Sequence, residues 1–182
     1  SMNYDVSLEC YFKPVGVLSV GVFQKNIRDY IGSVSNAISA ATAAELGAPL
    51  ANPSPTDMSW TLSTERNSGD ARVRGLEFNY SQQLSFLPRA LRGLGVFLNY
   101  TWLQSTGERQ TGGATPLQNF VPRSGSTGLS YTYGRWDARL QLGYNSAFLD
   151  NLDSNSRWRD QYKGERYQLD FNGRCKITRQ LA

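Results

Sequence analysis

An alternation of apolar and polar residues, repeated along most of the chain, constrains this sequence more than any other feature. In the stretch GLEFNYSQQL, one phase of the alternation holds Leu76, Phe78, Tyr80 and Leu84 and is interrupted only by Gln82. Successive side chains of an extended chain point to opposite faces, so a period of two predicts a β-strand with one apolar face. The question is whether that face contacts a protein core or lipid.

The same alternation recurs and predicts an all-β chain of about seven strands. The predicted strands are 3–12, 16–28, 72–84, 94–102, 126–133, 136–144 and 166–177. The short connections between them are 13–16, 86–93 and 133–136, and the long ones are near 29–70, 105–123 and 145–166. Short turns at one rim and long extracellular loops at the other are typical of transmembrane β-barrels. We therefore predict an antiparallel up-and-down meander that is part of, or derived from, such a barrel.

The first long loop contains one predicted short helix. The stretch from Ser39 to Gly47 carries a capping-box pattern formed by Thr42 and Glu45, and Gly47 is a typical helix stop. The remainder of this loop is expected to return irregularly to the next strand; the alternative is that the loop is a disordered insertion.

Aromatic residues of the apolar phase fall near the strand ends, which favours lipid over a protein core. Next to the long loops are Tyr4, Trp102, Tyr144 and Tyr167, and next to the short turns are Phe12, Tyr133 and Trp136. Two aromatic girdles around an aliphatic band are expected where rings settle at two membrane interfaces. The alternative is a soluble sandwich or small closed barrel that buries the apolar face within itself.

The composition argues against several other classes of protein. No apolar run reaches the ~18 residues that a membrane-spanning helix needs. The net charge of +4 comes from scattered basic residues, so no nucleic-acid partner is expected. Because the chain contains no histidine and no paired nucleophile and base, we expect neither an enzyme nor a cofactor or metal site.

Two groups of polar and aromatic residues are candidates for function. On the polar phase of the strands, the residues that could contact a plug or line a ligand path are Glu77, Asp137, Arg139, Asp170 and Arg174. Their alternative role is cross-strand charge pairing, at ~0.2–1 kcal/mol each. In the long loops, the residues that could bind an extracellular ligand are Trp60, Trp158 and Tyr162.

The strand pattern and several specific runs of residues resemble those of a known family. The run G-D-A-R-x-x-G-L-E-F (69–78), followed by L-S-F-L-P (84–88), resembles the C-terminal part of the β-barrel of TonB-dependent outer-membrane receptors. The later pieces FVPRSGSTGLSYTYGRWDARLQLGYN and ERYQLDFNGRCKITRQL continue the resemblance. It covers nearly the whole chain except the loops.

This resemblance implies a plugged barrel of roughly 22 strands that imports a scarce ligand across the outer membrane of a Gram-negative bacterium. The resemblance implies a siderophore or a carbohydrate as the ligand. It also implies that outer-membrane lipid, the plug domain and TonB are partners of the receptor. We expect neither the plug nor the closing strands within this sequence, and Ser1 and Met2 are typical of a tag remnant, so residues 3–182 are expected to be a barrel segment. Its open sheet edges would favour self-association. The alternative function is a soluble or surface β-module that binds a partner without transport.

The resemblance implies tyrosine or another bulky residue at positions 10 and 175, where this sequence has Cys10 and Cys175. They are either ordinary substitutions or a disulfide that holds the first and last strands together. In a complete barrel these strands would lie well beyond the ~7 Å Cα separation that a bridge allows.

Overall fold

The computed structural model describes residues 1–47, 60–67, 69–108, 112–153 and 157–177. The strands in these ranges are β1 (Met2–Phe12), β2 (Val15–Ile27), β3 (Ile31–Ile38), β4 (Trp60–Asn67), β5 (Ala71–Gln83), β6 (Leu94–Glu108), β7 (Ala114–Thr115), β8 (Arg123–Tyr133), β9 (Trp136–Asn145), β10 (Phe148–Asn151), β11 (Gln161–Lys163) and β12 (Arg166–Cys175). The helical elements are α1 (Ala40–Glu45) and two 3-10 helices, Arg89–Gly93 and Arg157–Arg159.

The main sheet is an antiparallel meander in the order β1-β2-β5-β6-β8-β9-β12, with β7 paired to β6 beside this path. Each strand pairs with the next of the seven along nearly its whole length; β2, for example, pairs with β5 from Val15↔Gln83 to Ile27↔Ala71. The predicted fold class, a seven-stranded up-and-down meander, is therefore confirmed. The short connection 86–93 contains the 3-10 helix Arg89–Gly93.

Two strands of the sheet are longer than the alternation predicts. The predicted fourth strand ends at residue 102, whereas β6 continues to Glu108, because β5 pairs with it as far as Arg72↔Thr106 and β7 adds the pair Gly107↔Thr115. The predicted fifth strand begins at residue 126, whereas β8 begins at Arg123, opposite Trp102. Pairing with a neighbour thus extends both strands into polar stretches that carry no apolar signal of their own.

The long connections also contain more regular structure than expected. β3 and β4 form a hairpin in the first long loop, and β10 and β11 form another in the third, where Leu149 pairs with Tyr162. The prediction of an irregular return after the helix is wrong for residues 60–67, which form β4. These strands are short and carry few apolar residues in alternation, so the sequence alone gives them only a weak signal.

The short helix is present but begins earlier than the capping-box pattern predicts. Ser39, not Thr42, is the N-cap: its side chain accepts a hydrogen bond from the Thr42 backbone N–H at 3.2 Å. Gly47 follows the helix with φ +79° and donates its N–H to the Ala44 carbonyl at 2.9 Å, as a C-terminal glycine should. The predicted stop is therefore confirmed.

The structure has very little buried core for a chain of this length. Among the described residues, the buried apolar side chains are Ala43, Ala71, Val73, Leu117 and Leu149. No second sheet packs on the seven-stranded one within the described chain, and β1 and β12 each pair with a single neighbour in it. The sheet is therefore open, and the sandwich that would bury its apolar face is not formed.

No helix within the described ranges is both long enough and apolar enough to cross a membrane.

Candidate functional site: the polar face of the sheet and the long-loop rim

The strand register separates the sheet into one apolar and one polar face. Residues directly opposite one another on paired strands share a face, so each level of the sheet can be followed across all seven strands. One level of the apolar face comprises Cys10, Leu18, Tyr80, Leu98, Thr127, Leu142 and Leu169. The adjacent level of the polar face comprises Glu9, Ser19, Asn79, Asn99, Ser126, Gly143 and Gln168.

The apolar face is largely uncovered. Leu8 is 74% exposed at one edge of the sheet, Leu129 is 49% exposed near its middle and Phe171 is 74% exposed at the other edge. A continuous exposed apolar band across a whole sheet is far larger than the patches that soluble monomers tolerate, and it marks an interaction surface.

The seven aromatic residues predicted to form the two girdles all lie on this apolar face. Exposed among them are Tyr4, Phe12, Trp102, Tyr133, Trp136 and Tyr167. The rings of Tyr144 and Tyr167, opposite each other on β9 and β12, have centroids 4.9 Å apart. Their role at membrane interfaces stays a prediction.

The five charged candidates lie on the polar face but do not pair with one another. Asp137 and Arg174 are directly opposite in the register, yet the carboxylate of Asp137 instead accepts a hydrogen bond from the hydroxyl of Thr132 at 2.9 Å. Asp170 accepts from the amide of Gln168 at 3.0 Å. Across the described ranges, no ion pair within 4.0 Å involves any of the five, Glu77 included. Their charges therefore remain directed at the space in front of the sheet.

Arg139 is held in place by an aromatic ring rather than by an acid. Its guanidinium lies over the ring of Phe97, 4.3 Å from the centroid, and also donates to the side chain of Gln141 at 3.2 Å. The Phe97 ring also lies against Gly128 of β8, where an added Cβ would lie 2.6 Å from the ring. A cation stacked on an aromatic face keeps its charge while losing conformational freedom. Arg139 is thus a preoriented cation on the polar face.

The segment from Ala114 to Pro122 folds back against the polar face at the long-loop rim, and we call it the inner shelf. Its side chain Leu117 is 4% exposed and packs with Ala71 and Val73 of β5. Partly buried around this cluster are Phe23, Ile27, Tyr30, Leu103 and Phe120. The largest buried apolar cluster of the described chain therefore attaches a loop to the sheet, not one layer to another.

Backbone hydrogen bonds fix the inner shelf at several points. The N–H of Leu117 donates to the Ser105 hydroxyl at 3.1 Å, and the N–H of Leu103 donates to the Pro122 carbonyl at 2.8 Å. The N–H of Asn119 donates to the carbonyl of Leu149 at 2.8 Å, which links the shelf to the hairpin of the third long loop. The shelf is therefore an ordered part of the rim.

Sequence reasoning did not identify the inner shelf as a structural element. Its local signal is weak: the large apolar residues Leu117, Phe120 and Val121 stand in a short stretch between Pro116 and Pro122. None of the three belongs to an alternating or helical pattern, and the partners of Leu117 and Phe120 on β5 lie more than forty residues away.

The three loop aromatics lie in two hairpins, Trp60 in one and both Trp158 and Tyr162 in the other, and they differ in exposure. Trp60 opens β4 and is partly buried, and its buried indole Nε1 has no hydrogen-bond partner in the described chain. Trp158 lies in the second 3-10 helix and is 98% exposed, and Tyr162 of β11 is also exposed. Trp158 and Tyr162 belong to one loop, which the ion pair between Lys163 and Asp150 (2.7 Å) braces. They are the better placed candidates for contact with an external ligand.

Cys10 and Cys175 are both free and exposed, on the two outermost strands β1 and β12 of the open sheet. The hypothesised bridge between them is not formed in this structure. Among the described residues, no group of three or more His, Cys, Asp or Glu side chains is arranged to hold a metal ion.

Comparison with known proteins assigns this architecture to a family. The family described as "TonB dependent receptor-like, beta-barrel" has a model that matches residues 1–180. Searches of curated proteins and of solved structures found no match to the chain. The family comprises barrels of outer-membrane transport receptors rather than enzymes, and it implies a plug and TonB as partners of the parent receptor and the Gram-negative outer membrane as its location.

Proposed function

Because the chain belongs to the TonB-dependent receptor-like β-barrel family, we propose that its seven-stranded sheet forms part of the wall of an outer-membrane receptor. The apolar face contacts lipid, and the polar face points to the barrel interior. The register carries this proposal: it keeps the apolar and polar phases on opposite faces through seven consecutive strands.

The open edges of the sheet are consistent with a section of wall. In lipid every backbone N–H and C=O group needs a partner, and a barrel provides one for each strand by closing on itself. Among the strands that the structure describes, β1 and β12 each pair with a single neighbour in the sheet. In the receptor they pair with further strands; without these, the same edges favour self-association.

We place the long loops, 29–70, 105–123 and 145–166, on the extracellular side and the short turns on the periplasmic side. The inner shelf then narrows the extracellular mouth from within. Trp158 and Tyr162 extend from the rim as candidate ligand contacts. Arg139, with the other charged residues of the polar face, faces the plug or the ligand path.

The ligand that we propose is a scarce, polar small molecule such as a siderophore or a carbohydrate, taken up with energy transmitted by TonB. Support comes from the composition of the polar face. On the level that starts at Glu9, the residues of the other six strands are serines, asparagines, a glutamine and a glycine. Such a lining offers many hydrogen-bond donors and acceptors and little net charge.

Adjacent residues of β9 test the assignment of the two faces. In a background without Cys10 and Cys175, Gln141→Cys and Leu142→Cys are introduced separately, and the receptor is reconstituted in lipid vesicles. We expect a water-soluble maleimide to label the protein with Gln141→Cys and to leave the protein with Leu142→Cys unlabelled, while a lipid-soluble maleimide labels both. Equal labelling by the water-soluble reagent would show that the apolar face is not in lipid.

Uptake assays then separate the two ligand classes. Cells that produce the intact receptor are grown either with a ferric siderophore as the only iron source or with an oligosaccharide as the only carbon source. Receptor-dependent growth on one of the two assigns the class. The double variant Trp158→Ala/Tyr162→Ala should reduce that growth, whereas Trp136→Ala, at the opposite rim and on the lipid face, should not.

A further inference from the structure

The apolar face of the sheet changes character abruptly at its long-loop end. The last fully apolar level across β2, β5 and β6 comprises Val22, Leu76 and Trp102. The next level comprises Gln24, Arg74 and Gln104, and the one after it Asn26, Arg72 and Thr106. Six consecutive positions of the same face are thus polar, and two of them are arginines.

Both arginines are oriented by neutral side chains. Arg74 donates through Nε and Nη2 to the carbonyl oxygen of Gln104, at 2.8 and 2.6 Å. Arg72 donates through Nε to the carbonyl oxygen of Asn26 at 3.2 Å. In the described part of the chain, no carboxylate lies within 4.0 Å of either guanidinium. Each arginine therefore keeps its full charge and has N–H donors to spare, in a fixed orientation.

These side chains line a cleft of about 820 Å³, to whose lining Gly112 and Gly113 also contribute. The other charged side chains lining it are Arg28, Asp70 and Glu108, so three arginines face two carboxylates. Asp70 and Glu108 lie beyond Arg72 and Thr106, on the loop side of the cleft. The part of the cleft nearest to the apolar band is therefore its most positive part.

The height of Arg74 matches the headgroup region of a membrane, and Arg72 lies just above that region. Successive levels of one face are ~7 Å apart along a strand. With strands tilted by ~35–45°, Arg74 and Arg72 lie roughly 5 and 10 Å above the level of Trp102. The polar region on each side of the hydrocarbon core is roughly 5–7 Å thick, so, measured from Trp102, the level of Arg74 lies within it and the level of Arg72 lies about 3 Å beyond its outer limit. Trp102, on the adjacent level toward the apolar band, is exposed, and tryptophan is enriched at membrane interfaces.

We infer that Arg72 and Arg74 bind the phosphate group of a membrane lipid in the leaflet on the long-loop side. Guanidinium groups bind phosphate oxygens through paired, charge-assisted hydrogen bonds, and two of them from adjacent levels of one strand fit a single phosphate-bearing headgroup. The inference rests on the proposed function, since it requires this face to be in lipid. It adds a specific lipid site to a wall that otherwise only excludes water.

Native mass spectrometry of the intact receptor in detergent tests the site, with phosphatidic acid as the probe and phosphatidylcholine of the same acyl chains as the reference. We expect preferential retention of phosphatidic acid, and about tenfold weaker binding in Arg72→Gln/Arg74→Gln, the cost of losing a charge-assisted hydrogen bond. The matched control Arg166→Gln/Arg174→Gln removes the same charge from the polar face and should bind like the unaltered receptor. Equal losses in both variants, or in neither, would overturn the inference.

Two further arms separate this outcome from its alternatives. Inorganic phosphate in excess should not displace the lipid; displacement would mean that the site takes a soluble anion instead. If Arg72→Gln/Arg74→Gln fails to fold, Arg72→Lys/Arg74→Lys replaces it. This variant keeps the charge but not the paired hydrogen-bond geometry, so it should bind phosphatidic acid more weakly than the unaltered receptor does. The labelling of Gln141→Cys and Leu142→Cys is independent of the lipid headgroup, so a failed lipid site leaves the proposed wall intact.

Discussion

Removing the side chain that anchors the inner shelf should free that segment without unfolding the sheet. Leu117 is 4% exposed and packs in one buried cluster with Ala71 and Val73, whereas the strands themselves are held by continuous backbone pairing. In Leu117→Ala, the shelf loses its main apolar contact with β5. The strand ladders do not depend on that contact.

The size of the effect follows from the burial of Leu117. Leucine-to-alanine substitutions at buried positions cost about 2–5 kcal/mol, and sites at which neighbours can relax lie at the low end. A loop at a rim can relax, so we take about 2–3 kcal/mol, which shifts the opening equilibrium of the shelf roughly 30- to 150-fold.

Amide hydrogen exchange measures this opening directly. The N–H of Leu117 is bonded to Ser105 and the N–H of Asn119 to Leu149, so both amides are protected only while the shelf is in place. In the protein reconstituted in lipid, exchange of peptides covering 114–122 should accelerate by the same factor. Exchange within β5 should not change.

The matched control is Leu129→Ala on the apolar face, where the side chain is 49% exposed. It removes the same atoms from β8 and should leave the exchange of the shelf unaltered. If Leu117→Ala leaves exchange at 114–122 unchanged, or if Leu129→Ala accelerates it equally, the shelf is not held by the cluster described here.

Two further predictions concern the sheet itself. In urea unfolding, Gly128→Ala should destabilise the protein by about 1–3 kcal/mol, because the added Cβ would meet the ring of Phe97 at 2.6 Å and a backbone carbonyl of β9. Gly164→Ala is the control: nothing lies within 4 Å of an added Cβ there, so the free energy of unfolding should not change. Cys10 and Cys175 are free and exposed, so a lipid-soluble maleimide should label both without prior reduction. An unlabelled protein that becomes reactive only after reduction would instead support the disulfide.

The strands could be predicted because their signal is local. Whether Leu76 and Phe78 share a face depends only on the geometry of an extended chain, so alternation is visible without any knowledge of neighbours. The positions of Tyr4, Arg139 and Asp170 on their respective faces follow from the same rule. Where the alternation is short or polar, as in β4 and the end of β6, the strand exists because a neighbour pairs with it, and the sequence signal is weak.

The functional arrangement depended on contacts between distant parts of the chain. Leu117 has no pattern of its own, and its burial arises only when its loop returns to Val73 of β5. Asp137 and Arg174 are directly opposite each other on paired strands and would be expected to form an ion pair. The carboxylate of Asp137 instead accepts a hydrogen bond from the hydroxyl of Thr132. Side-chain choices of this kind are decided by differences of roughly 1 kcal/mol, which spacing along the chain does not encode.

By itself, the sequence determined that this protein is a meander of two-faced strands, since period-two patterning is imposed by the steric geometry of each strand alone. Only the tertiary structure decided which residues meet across strands. It placed Arg72 and Arg74 beside amides just above an apolar band and folded the inner shelf onto the polar face. Those contacts depend on register and on the path of the long loops, and both are set by pairing between segments far apart in the chain.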